Sequence, residues 1–301
     1  MKIFHIIDGR YFEANRKTIS ELVLSLYEYG VSQEAVTEEG ATLGWLSTIV
    51  PVKHLKGGEA GRFANKIRMW AHCMKFSPDI VVKWGPWARA SAVSGSFVQV
   101  SHLSARADIA SFDRNDYVMT NLDGPLSYAK ENGFSGAKSF MLPAFVKEYK
   151  NMPTLSKRDF FVPEKAKIIY SAATFARGIG YETMFDSIGS VQDVYFIIAG
   201  AGAAEEYVKD YASRVNVKSR SRFVPEIEKT QSAAAIADFA LLPFDEPELA
   251  KNILEAMLAG KPVLAADNAT AREFIADEKT GFLVPPRDAY LLRRRIREVI
   301  A

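Results

Sequence analysis

Residues 194–199, Val-Tyr-Phe-Ile-Ile-Ala, make an almost unbroken apolar run of strand length. A half-exposed strand alternates polar and apolar residues, whereas a run like this must be covered on both faces. That is the situation of a parallel sheet held between layers of helices. The chain repeats the pattern. Residues 2–8, 43–52, 78–84, 97–102, 116–121, 140–143, 167–171, 221–225, 238–243 and 263–266 read as further short strands, many followed by a stretch with helical spacing. Successive β-α units without internal repeats or low complexity predict doubly wound α/β sheets. A length of 301 residues suffices for two domains of about 150, each with its own core. Residues 147–164 are polar, carry Pro153 and Pro163 and lack periodicity, so they read as a linker. The expected division is 1–150 and 151–301.

Composition removes several function classes. With 48% hydrophobic and 25% charged residues the chain is of ordinary globular type, and a net charge of +2 gives no general attraction to nucleic acid. One cysteine, Cys73, excludes an internal disulfide and reads as an inert thiol in a helix. The opening Met1 to Ile7 is too short for a leader and reads as a first strand, and no run approaches the roughly 20 apolar residues of a membrane span. A cytoplasmic protein, at most peripheral to a membrane, is the expectation.

In the first half, the strand over 2–8 ends in a loop, Asp8-Gly9-Arg10, at a place where α/β sheets bind ligands. A helix running to Phe76 carries Phe63, Ile67 and Trp70 on one face, with Arg62, Lys66, Arg68 and Lys75 around it. One reading is a core-facing helix with a solvated basic rim; the other is a patch for an anionic membrane surface. His102 sits at the carboxyl tip of the strand over 97–102, whereas His5 and His72 read as structural.

In the second half, Ile253, Leu254, Met257 and Leu258 recur at helical spacing over 252–259, Gly260 stops the helix and Pro262 blocks its continuation. Glu255 lies on this helix between Leu254 and Ala256. It is either a solvated glutamate or a carboxylate held to grip hydroxyl groups. Gly200-Ala-Gly202 follows a strand, but without a third glycine it makes a poor dinucleotide fingerprint. An arginine such as Arg177, in a strand-to-helix loop, suits a diphosphate because its guanidinium forks onto phosphate oxygens. No Asp-x-Asp pair is spaced for a divalent metal.

The stretch Leu254-Glu-Ala-Met-Leu-Ala-Gly-Lys-Pro-Val263 resembles the donor-site helix of the retaining, nucleotide-sugar-dependent glycosyltransferases of family 4. The order of features over 167–288 resembles that family's whole C-terminal domain, while the first half is similar only in outline. The resemblance implies the GT-B fold, two Rossmann-like domains facing a cleft, with acceptor bound by residues 1–150 and donor by 151–301. It implies a UDP- or GDP-linked sugar as co-substrate, no further cofactor, no metal, and a glycan or lipid-linked acceptor hydroxyl of the cell envelope. Carried over residue by residue, it makes Arg177-Gly178 the basic element facing the diphosphate, with Lys251, Asn252 and Ile253 assisting at the helix start. Gly200 and Gly202 become the turn near the nucleotide, Glu226 and Ile227 the segment under the base, and Glu255 the ribose ligand. The family's loop glutamate, eight positions before Glu255, falls on Pro247, so Glu246 and Glu248 flank the place, with Glu248 the preferred catalytic carboxylate. His102 would lie beside the donor sugar, and Gly9 and Arg10 on the acceptor side. Two departures stand out: the family's first phosphate-binding arginine falls near Ala172, and the glycine-rich loop after the first strand is reduced to Gly9. They motivate the alternative of a non-catalytic GT-B protein that binds a nucleotide or glycan or partners an active subunit. Another GT-B sugar-nucleotide enzyme, such as an epimerase, would need further acid-base residues. The chain ends after one basic helix over 289–300, where members of the resembled family usually add bracing helices, so a minimal or truncated enzyme with a looser interdomain hinge is expected.

Overall fold

The structure is a computed structural model that describes residues 1–300 except 42, 45, 56–61, 91–92, 105–111, 113–116, 135, 137, 149–153, 193, 226–229 and 247, and the side chains of 62–64 and 230. The chain divides into two compact units, Met1–Ala144 and Phe145–Ala301.

Unit 1 has strands β1 (Lys2–Ile7), β2 (Ser32–Glu38), β3 (Val52–Leu55), β4 (Ile80–Trp84), β5 (Val98–Leu103), β6 (Tyr117–Thr120) and β7 (Ser139–Met141). Its helices are α1 (Gly9–Ala14), α2 (Arg16–Glu28), α3 (Leu46–Ile49), α4 (Arg62–Phe76), α5 (Pro86–Arg89) and α6 (Asp123–Glu131). The sheet is parallel in the order β3-β2-β1-β4-β5-β6-β7, so the winding reverses between β1 and β4. One apolar cluster includes Ile7, Phe12, Val23 and Trp84; another includes Phe4, Ile6, Val81 and Cys73. Burial pushes the Cys73 thiol up to about 11, as suits an inert group.

Unit 2 has strands β8 (Lys167–Ala172), β9 (Val194–Ala199), β10 (Ser221–Val224), β11 (Phe239–Leu242), β12 (Val263–Ala266) and β13 (Phe282–Val284). Its helices are α7 (Tyr181–Ile188), α8 (Glu205–Arg214), α9 (Thr230–Ala235), α10 (Leu249–Leu258), α11 (Ala269–Phe274) and α12 (Ala289–Ile300). The parallel order is β10-β9-β8-β11-β12-β13, with the reversal between β8 and β11. The run over 194–199 is β9, flanked on both sides by β8 and β10 and buried except for a half-buried Tyr195.

Several readings need correction. The apolar run over 43–52 is not a strand: Leu43, Leu46 and Val50 are buried at i, i+3, i+7 spacing through the short α3, and the strand starts only after Pro51. Strand β2 escaped notice because Gln33 and Thr37 are polar yet buried; Gln33 Nε2 donates to the Val23 carbonyl and Thr37 Oγ1 to that of Ile7. Helix α4 turns its other apolar stripe inward. Met69 and Cys73 are buried, while Ile67 and Trp70 are 52% and 46% exposed. The side chain of Phe63 lies outside the described ones. Helix α10 begins at Leu249, three residues earlier than its spacing suggests, which puts Lys251 inside it. Among the described residues no helix is long and apolar enough to cross a membrane.

Candidate functional site

A parallel sheet leaves a crevice at the carboxyl ends of the two strands where its winding reverses, because the loops after them depart in opposite directions. In unit 2 these are the loops after β8 and β11, with the loop after β9 alongside. The first and last are zipped together by backbone hydrogen bonds. The Phe175 amide donates to the Ala201 carbonyl at 2.9 Å, and the Ala204 amide to that of Phe175 at 2.9 Å. Gly200 and Gly202 sit at this seam. A Cβ on Gly200 would lie 2.2 Å from the Ala173 carbonyl oxygen, and one on Gly202 would lie 2.5 Å from that of Phe175. Both glycines thus serve the approach of one loop to the other.

Arg177 lies exposed in the β8-α7 loop beside Gly178, whose φ of +74° makes the turn that favours glycine. The Arg177 guanidinium carbon stands 4.0 Å from the centroid of the Tyr207 ring on α8. The Tyr207 hydroxyl donates to Glu182 Oε1 on α7 at 2.8 Å, a bond that raises the phenol's pKa and keeps its proton in place. Sequence reasoning missed Tyr207; its one signal is the Tyr207/Tyr211 pair at i, i+4 on the helix after Gly202.

After β11 the carboxylates turn inward. Glu246 is buried: its Oε2 accepts the Thr174 amide at 2.8 Å and its Oε1 accepts Asn252 Nδ2 at 2.9 Å. Asn252 Nδ2 also donates to the Ala172 carbonyl at 2.9 Å. Glu246 and Asn252 therefore tie the β8 loop to α10 through their side chains. At the position matching the family's first arginine, Ala172 has a buried side chain, and its carbonyl holds α10. Glu248 precedes the first turn of α10 and is 2% exposed, while Glu255 two turns on is 4% exposed. Lys251 is buried between them in sequence, its Nζ 4.7 Å from the centroid of the Phe145 ring. The Ile253 side chain is fully buried in the main apolar cluster, so what it could offer a ligand is its backbone amide, in the first turns of α10. Glu226, Ile227 and Pro247 lie outside the described residues.

In unit 1, Gly9 and Arg10 do not form a loop: they open α1, capped by Asp8. Asp8 Oδ1 accepts the Tyr11 amide and Oδ2 the Trp87 amide, each at 3.0 Å, so one carboxylate holds the starts of α1 and α5. The Gly9 amide donates to Glu38 Oε1 at 2.8 Å. His102 is wholly buried and both its ring nitrogens are engaged. Asn121 Nδ2 donates to the Leu142 carbonyl, so its Oδ1 faces His102 Nε2 and must accept the proton there. Nδ1 is then the acceptor for the Tyr11 hydroxyl at 2.8 Å. Burial lowers the His102 pKa to about 4, against the pull of the Asn121 bond, and raises that of Tyr11 to about 12. The strand tip holds a neutral hub joining α1, β5 and the end of β6. Among the described residues no group of three or more His, Cys, Asp or Glu side chains is arranged to hold a metal ion.

Residues 154–301 match the sequence family described as Glycosyl transferases group 1. Over 105 residues the chain is 30% identical to the glycogen synthase of Mycobacterium tuberculosis (strain ATCC 25618 / H37Rv), a match covering 34% of this chain and 25% of that protein. The chain thus spans less than a third of the length of the curated relatives it matches. Among solved structures it is similar to a glycosyltransferase from Rickettsia africae ESF-5, with TM-score 0.75 and 16% identity over 99% of this chain and 88% of that one. It is also similar to Anabaena HepE in complex with UDP and glucose, with TM-score 0.74 and 17% identity over 100% of this chain and 90% of that one. At such identities the likeness is one of fold, and the fold is the GT-B pairing of two parallel-sheet α/β domains.

Proposed function

We propose, from the premise that residues 154–301 form a glycosyltransferase group 1 domain, that the chain is a retaining glycosyltransferase of the family 4 type. It takes a sugar from a UDP- or GDP-linked donor held by unit 2 and passes it to a hydroxyl of a glycan or lipid-linked acceptor held by unit 1. The observation that carries this reading is the gathering of Arg177, Glu248, Lys251 and Glu255 on the loops and helix that follow β8 and β11, within the matched half. Departure of the nucleotide puts negative charge on the diphosphate. Arg177, Lys251 and the first amides of α10 supply the positive potential that stabilises it, so the reaction needs no metal ion. Glu255 suits the ribose hydroxyls and Glu248 the sugar hydroxyls, since ionised carboxylates only accept hydrogen bonds. The acceptor hydroxyl then attacks from the face that the nucleotide leaves.

Isothermal titration with UDP, GDP and their common sugar conjugates tests this. Saturable binding is expected, weakened at least about tenfold by Arg177→Ala, in the range of a charge-assisted contact. No binding of any of these ligands would sink it. A second reading, a GT-B protein that binds donor without turning it over, is favoured by Ala172 standing in for an arginine and by Glu246 facing Thr174 and Asn252. Binding without sugar transfer or donor hydrolysis would select that reading.

A further inference from the structure

We infer that Tyr207 is the positioning residue for Arg177, a ring platform that presents its guanidinium to an anionic diphosphate with the N–H donors free. This inference rests on the donor reading above and adds a residue to it. An exposed arginine on a loop samples many rotamers, and fixing it on a ligand costs side-chain entropy. Stacking on an aromatic face removes part of that cost in advance. It occupies the flat face of the guanidinium and leaves the in-plane donors to fork onto phosphate oxygens. Among the described residues Arg177 makes no hydrogen bond or ion pair; its contact of this kind is the stack at 4.0 Å.

The platform is fixed at its far end, because the Tyr207 hydroxyl is held by Glu182 at 2.8 Å. It also shares a frame with Arg177, since the loop carrying the arginine is zipped to the loop that leads into α8. One turn further on the arrangement recurs. The Tyr211 hydroxyl donates to both carboxylate oxygens of Asp186, at 3.1 and 3.2 Å, and Arg214 stands 4.7 Å from the Tyr211 centroid. Arg214 belongs to the last turn of α8, away from the strand ends, so the second set braces α7 against α8 without facing the crevice. It is a built-in control of like chemistry on the same helix.

The test is titration of the full chain with UDP or GDP, whichever the wild type binds, across Tyr207→Leu, Tyr207→Phe, Tyr211→Leu, Arg177→Ala and the Arg177→Ala/Tyr207→Leu double variant. Thermal melts verify folding. Tyr207→Leu is expected to weaken binding about two- to fivefold, the scale of an exposed cation–π contact. Tyr207→Phe, which keeps the ring, should retain most of the affinity, and Tyr211→Leu should match the wild type. In the Arg177→Ala background Tyr207→Leu should add nothing, since the two act as one unit. Wild-type affinity in Tyr207→Leu, or an undiminished loss in the absence of Arg177, would overturn the inference and leave the donor reading standing. A wild type that binds neither nucleotide removes both.

Discussion

Glu246 and Glu248 are separated by a single proline, and spacing alone could not assign them. The structure engages both oxygens of Glu246 with Thr174 and Asn252, a side-chain direction that a sequence does not display. The residue type of Arg177 is what suggests phosphate chemistry, and its place in the loop between β8 and α7 was legible from the order of strand and helix. Its tyrosine platform was not, because the partner comes from another β-α unit 30 positions on (207 − 177). His102 shows a third case: its strand-tip position was readable, but not its burial. His5 and His102 each titrate in the folded chain near 4 rather than 6.5, chiefly through burial. Between those values the unfolded chain binds more protons, so stability is fully present above 6.5 and is lost as pH falls toward 4. Each histidine contributes a slope of up to about 1.4 kcal/mol per pH unit. Urea unfolding at pH 7.5, 6 and 5 should therefore show a shallower fall for His102→Gln than for the wild type, and equal slopes would count against the buried neutral ring.

Among the elements, the apolar strands β9, β11 and β12 were readable because burial on both faces leaves no charged positions to blur them, and β1 and β8 because a single buried polar residue, His5 or Ser171, interrupts each apolar run. β2 was missed for the opposite reason, its buried polar side chains being satisfied by partners far along the chain. Helix α4 was found, but not its orientation. It carries two apolar stripes, and only packing decides which meets the sheet. The outward stripe, Ile67, Trp70 and Met74, is exposed beside Lys66, Arg68 and Lys75. We propose this face as the contact with an anionic membrane surface, since apolar insertion and headgroup attraction reinforce one another there. Co-sedimentation with vesicles containing anionic lipid is expected for the wild type, and to fall at least about threefold for Trp70→Ser, given roughly 25 cal/mol per Å2 of apolar surface lost. Equal partition onto neutral and anionic vesicles would refute it.

At the scale of the whole molecule, the two-sheet architecture followed from the alternation of elements, because parallel strands require crossover helices and so repeat a recognisable unit. The sheet order was not in the alternation. Nothing in the spelling of β8 states that β11 lies against it, with Ser171 Oγ donating to the Leu241 carbonyl across a separation of 70 residues. That pairing has a kinetic consequence. The crevice exists only where β8 meets β11, and closing so long a loop is among the slower events available to a refolding chain. The pair β8 and β9, joined by a shorter connection, can form earlier and already brings Arg177 to Tyr207. Refolding of the full chain should accordingly show tyrosine environment recovering first and UDP affinity last, in stopped-flow experiments that follow both. On the donor reading proposed above, a chain in which β8 has met β9 but not β11 would hold Arg177 on Tyr207 without Glu248 and Glu255 alongside.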